Sequence, residues 1–320
     1  MQIFRVSRCR LSITVAFVLI AGCGGSQLPI GAPGAMAQSS TIAAHAEREG
    51  SWMLSKAVSQ DLLYTGNVGY VTVYSYPQGR LEGLLYGFSD VNGMCADASG
   101  DIFVGDIGRV VEYAHGHPLP KKILRSYGAL GCSVDPTSGD LAVTSAGGVE
   151  IYKDGHGPLK LYRDASFKAF SFCGYDNKGN LFVDGITSDY SFIFAELPKG
   201  GGSLRTITLD QSIGWPEQVQ WDGKHIAVGD QLTPAIYRFA IKGSRGVKVG
   251  TTSLNHATYL GQSWIEGQTL TVPLTYNTGR FRHAEIVLYR YPLGGKPIEV
   301  IPHSLTDGPN SAAVSLAPNR

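Results

Sequence analysis

Five glycines, Gly100, Gly139, Gly179, Gly223 and Gly267, fall 39, 40, 44 and 44 residues apart along this chain. Each is followed within a few residues by a short run ending in valine: Ile102-Phe103-Val104, Leu141-Ala142-Val143, Leu181-Phe182-Val183, Ile226-Ala227-Val228 and Leu270-Thr271-Val272. A steady period of about 40 residues means one supersecondary unit repeated, each copy relying on its neighbours to cover its apolar faces. The glycine marks a tight strand-to-strand turn. Behind it come a third strand, a Gly-rich hairpin and a fourth strand, as in VEIYKDGHGPLKLY and FIFAELPKGGGSLRTITL. YVTVYSYPQGRLEGLL, Tyr70 to Leu85, supplies a sixth hairpin.

Four antiparallel strands per period describe the blade of a β-propeller, so the expected fold is all-β, with six four-stranded blades over residues 59–320. The abundance of glycine and tyrosine, 41 and 16 residues, fits that class. Before Leu62 to Asn67, LLYTGN, the first copy has no innermost strand, whereas the closing SAAVSLAPNR reads as an innermost strand with nothing after it. Ala312 to Leu316 is therefore expected to pair with Leu62 to Tyr64 and close the ring, because an open ring exposes two apolar faces and a strand edge.

The phrases GCSVDPTSGDLAVT (Gly131 to Thr144) and FCGYDNKGNLFVDG (Phe172 to Gly185) resemble the blade-opening "GVAVDxxGNIYVAD" phrase of NHL-repeat and SMP-30-like six-bladed propellers. The resemblance spans nearly all of residues 60–320. It specifies blade construction and implies no substrate. Lactonases of the SMP-30 type hold a divalent metal in the central funnel through a glutamate of the N-terminal blade plus Asn and Asp oxygens. Here Asp61 to Gly79 contains no glutamate, and Glu82 belongs to an outer strand.

The N-terminus carries Arg5, Arg8 and Arg10, then the apolar run LSITVAFVLIAG. Twelve residues are too few to span a bilayer but suit the core of a secretory signal. The run ends at Leu19-Ile20-Ala21-Gly22-Cys23, which resembles the lipobox of bacterial lipoproteins and, with the repeats, bacterial propeller lipoproteins. Residues 1–22 are expected to leave as the signal peptide and Cys23 to carry the acyl chains (palmitate or a related lipid). Residues 23–58, rich in Gly, Ser, Ala and Pro, read as a linker. Ala35-Met36-Ala37 offers an ordinary cleavage site, but GGSQLPIGAPG separates it from the apolar run. Gly24, rather than aspartate, follows the cysteine, which resembles the outer-membrane sorting class of enterobacterial-type lipoproteins and implies the outer membrane of the cell envelope.

The full chain has 27 basic and 26 acidic residues; losing three arginines leaves 24 and 26, formally −2. With no basic run, nucleic acid is not an expected partner. The expected partners are the bilayer, through Cys23, and a small ligand or an envelope protein.

The turns at the mouth of the funnel contribute Asn92, Asp106, Asp184, Trp215, Glu217, Asp230 and Asn277 as candidate ligand-binding residues. Asp106, Asp184 and Asp230 are equally suited to cap their own turns. In GWPEQVQWDG, Trp215 beside Glu217 suits stacking on a sugar or peptide, while the plainer expectation is a packed indole and a solvated carboxylate. His115, His117 and His156 lie in outer hairpins and read as solvated turn residues, since HGH without remote ligands makes no metal site. No GxSxG, HExxH or GxxxxGK[ST] phrase occurs. The sequence thus points to a binding or scaffold module without catalytic residues or cofactor. A metal-dependent hydrolase or lactonase is the alternative, and only that alternative needs a divalent metal.

Cys95, Cys132 and Cys173 fall in innermost strands of consecutive blades. Cys132 and Cys173 lie three residues before Asp135 and Asp176, but Cys95 lies two before Asp97, which puts Cys95 on the opposite face of its strand. Cys132 and Cys173 therefore cannot meet. Cys95 and Cys132 either face each other, as a disulfide pair, or point apart, as buried thiols.

Overall fold

The computed structural model describes residues 50–318, apart from 158, 256, 258, 279, 280 and 303–307, and omits the side chains of 275–283; Cys23 lies outside the described residues. Six antiparallel sheets form the blades of a propeller. The innermost strands are Ser311–Ser315, Met94–Ala96, Gly131–Val134, Ala169–Tyr175, Pro216–Trp221 and Trp264–Glu266, for blades one to six.

The repeated sequence phrase builds the turn between the first and second strands. Gly100, Gly139, Gly179, Gly223 and Gly267 all have φ between 55° and 93°, a left-handed conformation that favours a residue without Cβ. The aspartate before the glycine closes the turn from within. Asp97 Oδ1 accepts from the backbone N–H groups of Ser99 and Asp101, Asp176 Oδ1 from those of Lys178 and Asn180, and Asp222 Oδ1 from those of Lys224 and His225.

Strand alternation assigns each face to a different neighbour. Leu62 and Tyr64 pack with Ile102 and Val104 of blade two, whereas Leu63 packs with Ile286 and Leu288 of blade six. Each of the six blade interfaces holds one apolar cluster of this kind. Among the described residues the second strands of the blades are thereby buried on both faces.

The C-terminal strand closes the ring against the segment expected, with bounds Ser311–Ser315 rather than Ala312 to Leu316. Ser311–Ser315 pairs antiparallel with Leu62–Gly66, Leu62 opposite Ser315 and Tyr64 opposite Ala313. Two additions modify the blades. Trp52–Met53 pairs with Gly83 and Leu84 as a fifth strand on blade one, followed by a 3₁₀ turn over Ser55–Ser59. The assignment of residues 50–58 to the linker is corrected accordingly: Ala57 is fully buried, and Lys56 reaches the buried Glu82 at 2.8 Å. Secondly, the outer strand of blade four is only Arg205–Thr206, and the chain crosses at Thr208–Leu209 to pair in parallel with Arg245–Ser253 of blade five.

His115 also departs from expectation. Instead of lying in solvent it is buried at the closure seam, with Nδ1 2.6 Å from Ser315 Oγ and Nε2 3.1 Å from the Gln60 carbonyl oxygen. The seam brings in residues about 55 and 200 positions away, which local pattern cannot show. His117 is exposed, and His156 contacts Glu112 Oε2 at 2.9 Å.

Cys95 and Cys132 form a disulfide between blades two and three, with Cα atoms 5.6 Å apart. Cys173 is a buried free thiol whose pKa burial pushes upward. The innermost strands converge near the axis, so facing residues approach more closely than the roughly 10 Å of ordinary stacked sheets. The bridge spans 37 residues. Replacing Cys95 and Cys132 together by alanine is expected to cost about 3–4 kcal/mol. Urea unfolding of oxidised wild type against the double variant measures it; coincident curves would contradict a stabilising bridge.

Candidate functional site

The loops that lead into the innermost strands gather with the hairpins between second and third strands at one end of the propeller. They surround a funnel of about 1420 Å³. Among its lining residues are Asn92, Phe172, Trp215, Glu217, Gln231, Tyr259 and Asn310. Of the expected candidates, Asn92, Trp215 and Glu217 therefore face one cavity. Asn277 belongs to the strand Thr269–Thr278, and its side chain lies outside the described residues.

Asp106 and Asp230 are consumed by local structure. Asp106 Oδ1 accepts from the backbone N–H groups of Ser89 and Asp90, and its Oδ2 from Arg109 Nε at 2.9 Å. Burial pulls the pKa of Asp106 upward, but these donors outweigh it and the net shift is downward. Asp230 Oδ1 accepts from the N–H groups of Trp215 and Leu232, and Oδ2 from that of Gly214. One function of Asp230 is thus to fix the backbone that presents Trp215, which remains half-buried on the funnel wall.

Asp184 does not cap its turn. It sits one position earlier in its strand than Asp106 and Asp230 do, so alternation directs it to the other face. There it is fully buried, and Oδ1 accepts the Phe172 N–H at 2.8 Å, where a register shift between Phe170 and Cys173 interrupts the ladder. Oδ2 has no hydrogen-bond partner. Burial raises the pKa of Asp184 to about 8, opposed by the Phe172 N–H.

Glu217 also reverses expectation: it is fully buried rather than solvated, while its neighbour Trp215 is the half-exposed one. Glu217 is itself the unpaired residue at a second irregularity, between Pro216 and Gln218. Its Oε1 accepts the Ser263 N–H at 2.8 Å. Space for the carboxyl exists because residue 229 is glycine; a Cβ there would lie 2.1 Å from Glu217 Oε2. Burial, foremost, and then the nearby Asp184 and Asp230 carboxylates push the Glu217 pKa well up, against the Ser263 donor. Near neutral pH Asp184 is thus held predominantly protonated, and the protonated form of Glu217 is favoured in the same sense.

Carboxamides complete the inner wall, and these were not singled out from sequence. Gln262 Oε1 accepts the Met94 N–H and its Nε2 donates to the Met94 carbonyl, both at 2.8 Å. Gln262 lines both the funnel and a cavity of about 180 Å³ further along the inner strands, where Gln218, Gln220 and the three cysteines also lie. Gln220 bonds Ile265 through both ends of its amide, joining blades five and six. The spacing E-Q-V-Q in GWPEQVQW was the available signal. Gly229→Ala is expected to displace Glu217 and cost about 1–3 kcal/mol. Glu217→Gln keeps an acceptor for Ser263 and should cost little. Paired melts of the two variants check this; equal losses would contradict the fit of the carboxyl against Gly229.

No protein-family model matches the sequence, and no curated protein matches it. Solved structures do. A chain of a nidogen/laminin complex superposes with a TM-score of 0.66 at 12% identity, covering 80% of this chain and 99% of that one. A protein of unknown function from Bacteroides caccae gives 0.61 at 11%, covering 80% and 99%. The β-propeller domain of Cps50 (Swd1) from Myceliophteria thermophila gives 0.53 at 11%, covering 85% and 91%. At such identities the likeness is one of fold. The chain is a six-bladed β-propeller with a mixed aromatic and carboxamide funnel.

Proposed function

We propose that this propeller is a binding module of the bacterial cell envelope, exported and anchored through acylated Cys23, which takes a ligand or a protein segment into its funnel. The funnel itself carries this reading. Its wall combines aromatic surface, Trp215, Phe172 and Tyr259, with the carboxamides of Asn92, Gln231 and Asn310. Such a lining orients a ligand by stacking and hydrogen bonds. The nidogen/laminin likeness, a propeller crystallised in a protein complex, is compatible with a binding role.

A metal-lactonase centre does not fit the residues present. Asp106 and Asp230 spend their oxygens on backbone N–H groups and Arg109, and Glu217 spends one on Ser263. No cluster of three His, Cys, Asp or Glu side chains suited to a metal occurs among the described residues. Native mass spectrometry of protein extracted from its own envelope tests the binding reading. A retained mass, lost in Trp215→Ala, is the expected result; stoichiometric divalent metal in the wild type would favour the hydrolase instead. Membrane fractionation of Cys23→Ala tests the anchor.

A further inference from the structure

The funnel end carries most of the protein's strongly exposed apolar surface. Nine large apolar side chains among the described residues are at least 50% exposed, and six of them, Val68, Ile107, Tyr127, Tyr190, Leu232 and Tyr259, belong to the loops and hairpins of this end. At the opposite end only Leu119, among the described residues, reaches that exposure, and the turns there project Lys153, Lys178, Lys199, Lys224 and Lys242; Leu293 lies in an outer hairpin of blade six whose Gly295 bonds Ser253 and Asn255 of blade five. Ile123, on the outer strand Pro120–Arg125, is the ninth.

The six are distributed singly over the blades, around the mouth. A protein partner is usually met by a contiguous patch. Isolated apolar tips around a ring suit a planar, deformable surface that each tip enters separately, as the interface of a bilayer is. Lys168 Nζ, 3.5 Å from the Tyr190 ring centroid, adds a cation beside one tip.

The chain joins the propeller at this same end. Leu81–Tyr86 runs toward the funnel, since it leads into the loop before Met94–Ala96, and Trp52–Met53 pairs with it antiparallel. Tyr86 N–H donates to Ser51 Oγ at 2.9 Å, which places residue 51 at the funnel end. Between Cys23 and Ser51 lie 27 residues.

We propose that the funnel face docks on the lipid bilayer, with Ile107, Tyr127, Tyr190 and Leu232 entering its interface and the funnel opening on the headgroup layer. This rests on the lipid-anchored binding module proposed above and narrows its ligand to a group presented at the membrane surface.

The test uses the full mature chain in its own membranes, labelled with a phospholipid bearing a diazirine in its acyl chain. Label is expected in peptides containing Ile107, Tyr190 and Leu232 and not in those containing Leu119. Ile107→Asp with Leu232→Asp should reduce it by about tenfold or more while Cys23 keeps the protein in the membrane fraction. Equal labelling of both ends, no labelling of a membrane-bound protein, or a protein crosslinked across these loops would overturn docking. If the chain never fractionates with membranes, the anchor reading fails by itself. The Cys23→Ala chain, added to phosphatidylethanolamine–phosphatidylglycerol vesicles, then decides docking: labelling of the same loops supports it, and none overturns it.

Discussion

A chain ending at Asn310 is expected to lose the cooperative native fold at ordinary temperatures, whereas one ending at Ala317 keeps it. The deletion removes the ladder between Ser311–Ser315 and Leu62–Gly66 together with the fully or almost fully buried Ala312, Ala313 and Val314. It also uncovers Leu63 and Tyr64 on either face of the next strand, and strips His115 of its Ser315 partner. Burial of one valine-sized side chain contributes about 1.5–3 kcal/mol. With two alanines, the ladder and the uncovered faces added, the loss rivals the whole stability of a typical domain, about 5–15 kcal/mol. Thermal unfolding followed by circular dichroism decides it. An unchanged melting temperature for the shorter chain would contradict closure by the C-terminal strand.

Asp184→Asn is expected to raise stability in alkaline solution and to change it little near pH 4. The folded-state pKa of about 8 lies above the ordinary value of 3.8, chiefly through burial, so the folded protein holds a proton that the unfolded chain has released. Stability from this group is complete below pH 3.8, falls as pH rises toward 8, and is flat beyond. At about 1.4 kcal/mol per unit the penalty reaches on the order of 5 kcal/mol at pH 9. Asparagine keeps the carbonyl that accepts from Phe172 and never ionises. Glu217, shifted upward for the same primary reason, leaves part of the slope in place. Melts at pH 4, 7 and 9 measure the difference; parallel losses across all three would contradict a protonated Asp184.

How far the candidate site was legible follows the range of the forces involved. Asp97 and Asp176 act within four residues of themselves, so their turns could be read directly. Trp215 and Glu217 line the same cavity, but their relative burial is the reverse of what the local pattern suggests. The deciding facts were the missing Cβ of Gly229 and the N–H of Ser263, in another strand and another blade. Asp184 resembles the turn aspartates Asp106 and Asp230 in sequence, but a one-residue offset sends it to the opposite face of its strand. Gln262 gave no signal, because a glutamine before an inner strand looks like any solvated amide until Met94 lies opposite it.

By itself the sequence determined the repeated blade and the closure of the ring by the C-terminal strand. Turn chemistry and two-residue alternation are local, and a propeller is those local units repeated until no apolar face remains. Parity along the strands also allowed Cys95 and Cys132 to face each other and forbade Cys132 to meet Cys173. Whether the permitted pair closed depended on the separation of two innermost strands, which convergence at the axis sets. The same holds for the buried carboxyls, for His115 in the seam and for the gathering of apolar loops at one end. Each depends on groups remote in sequence, and only the packed ring decides how close they come.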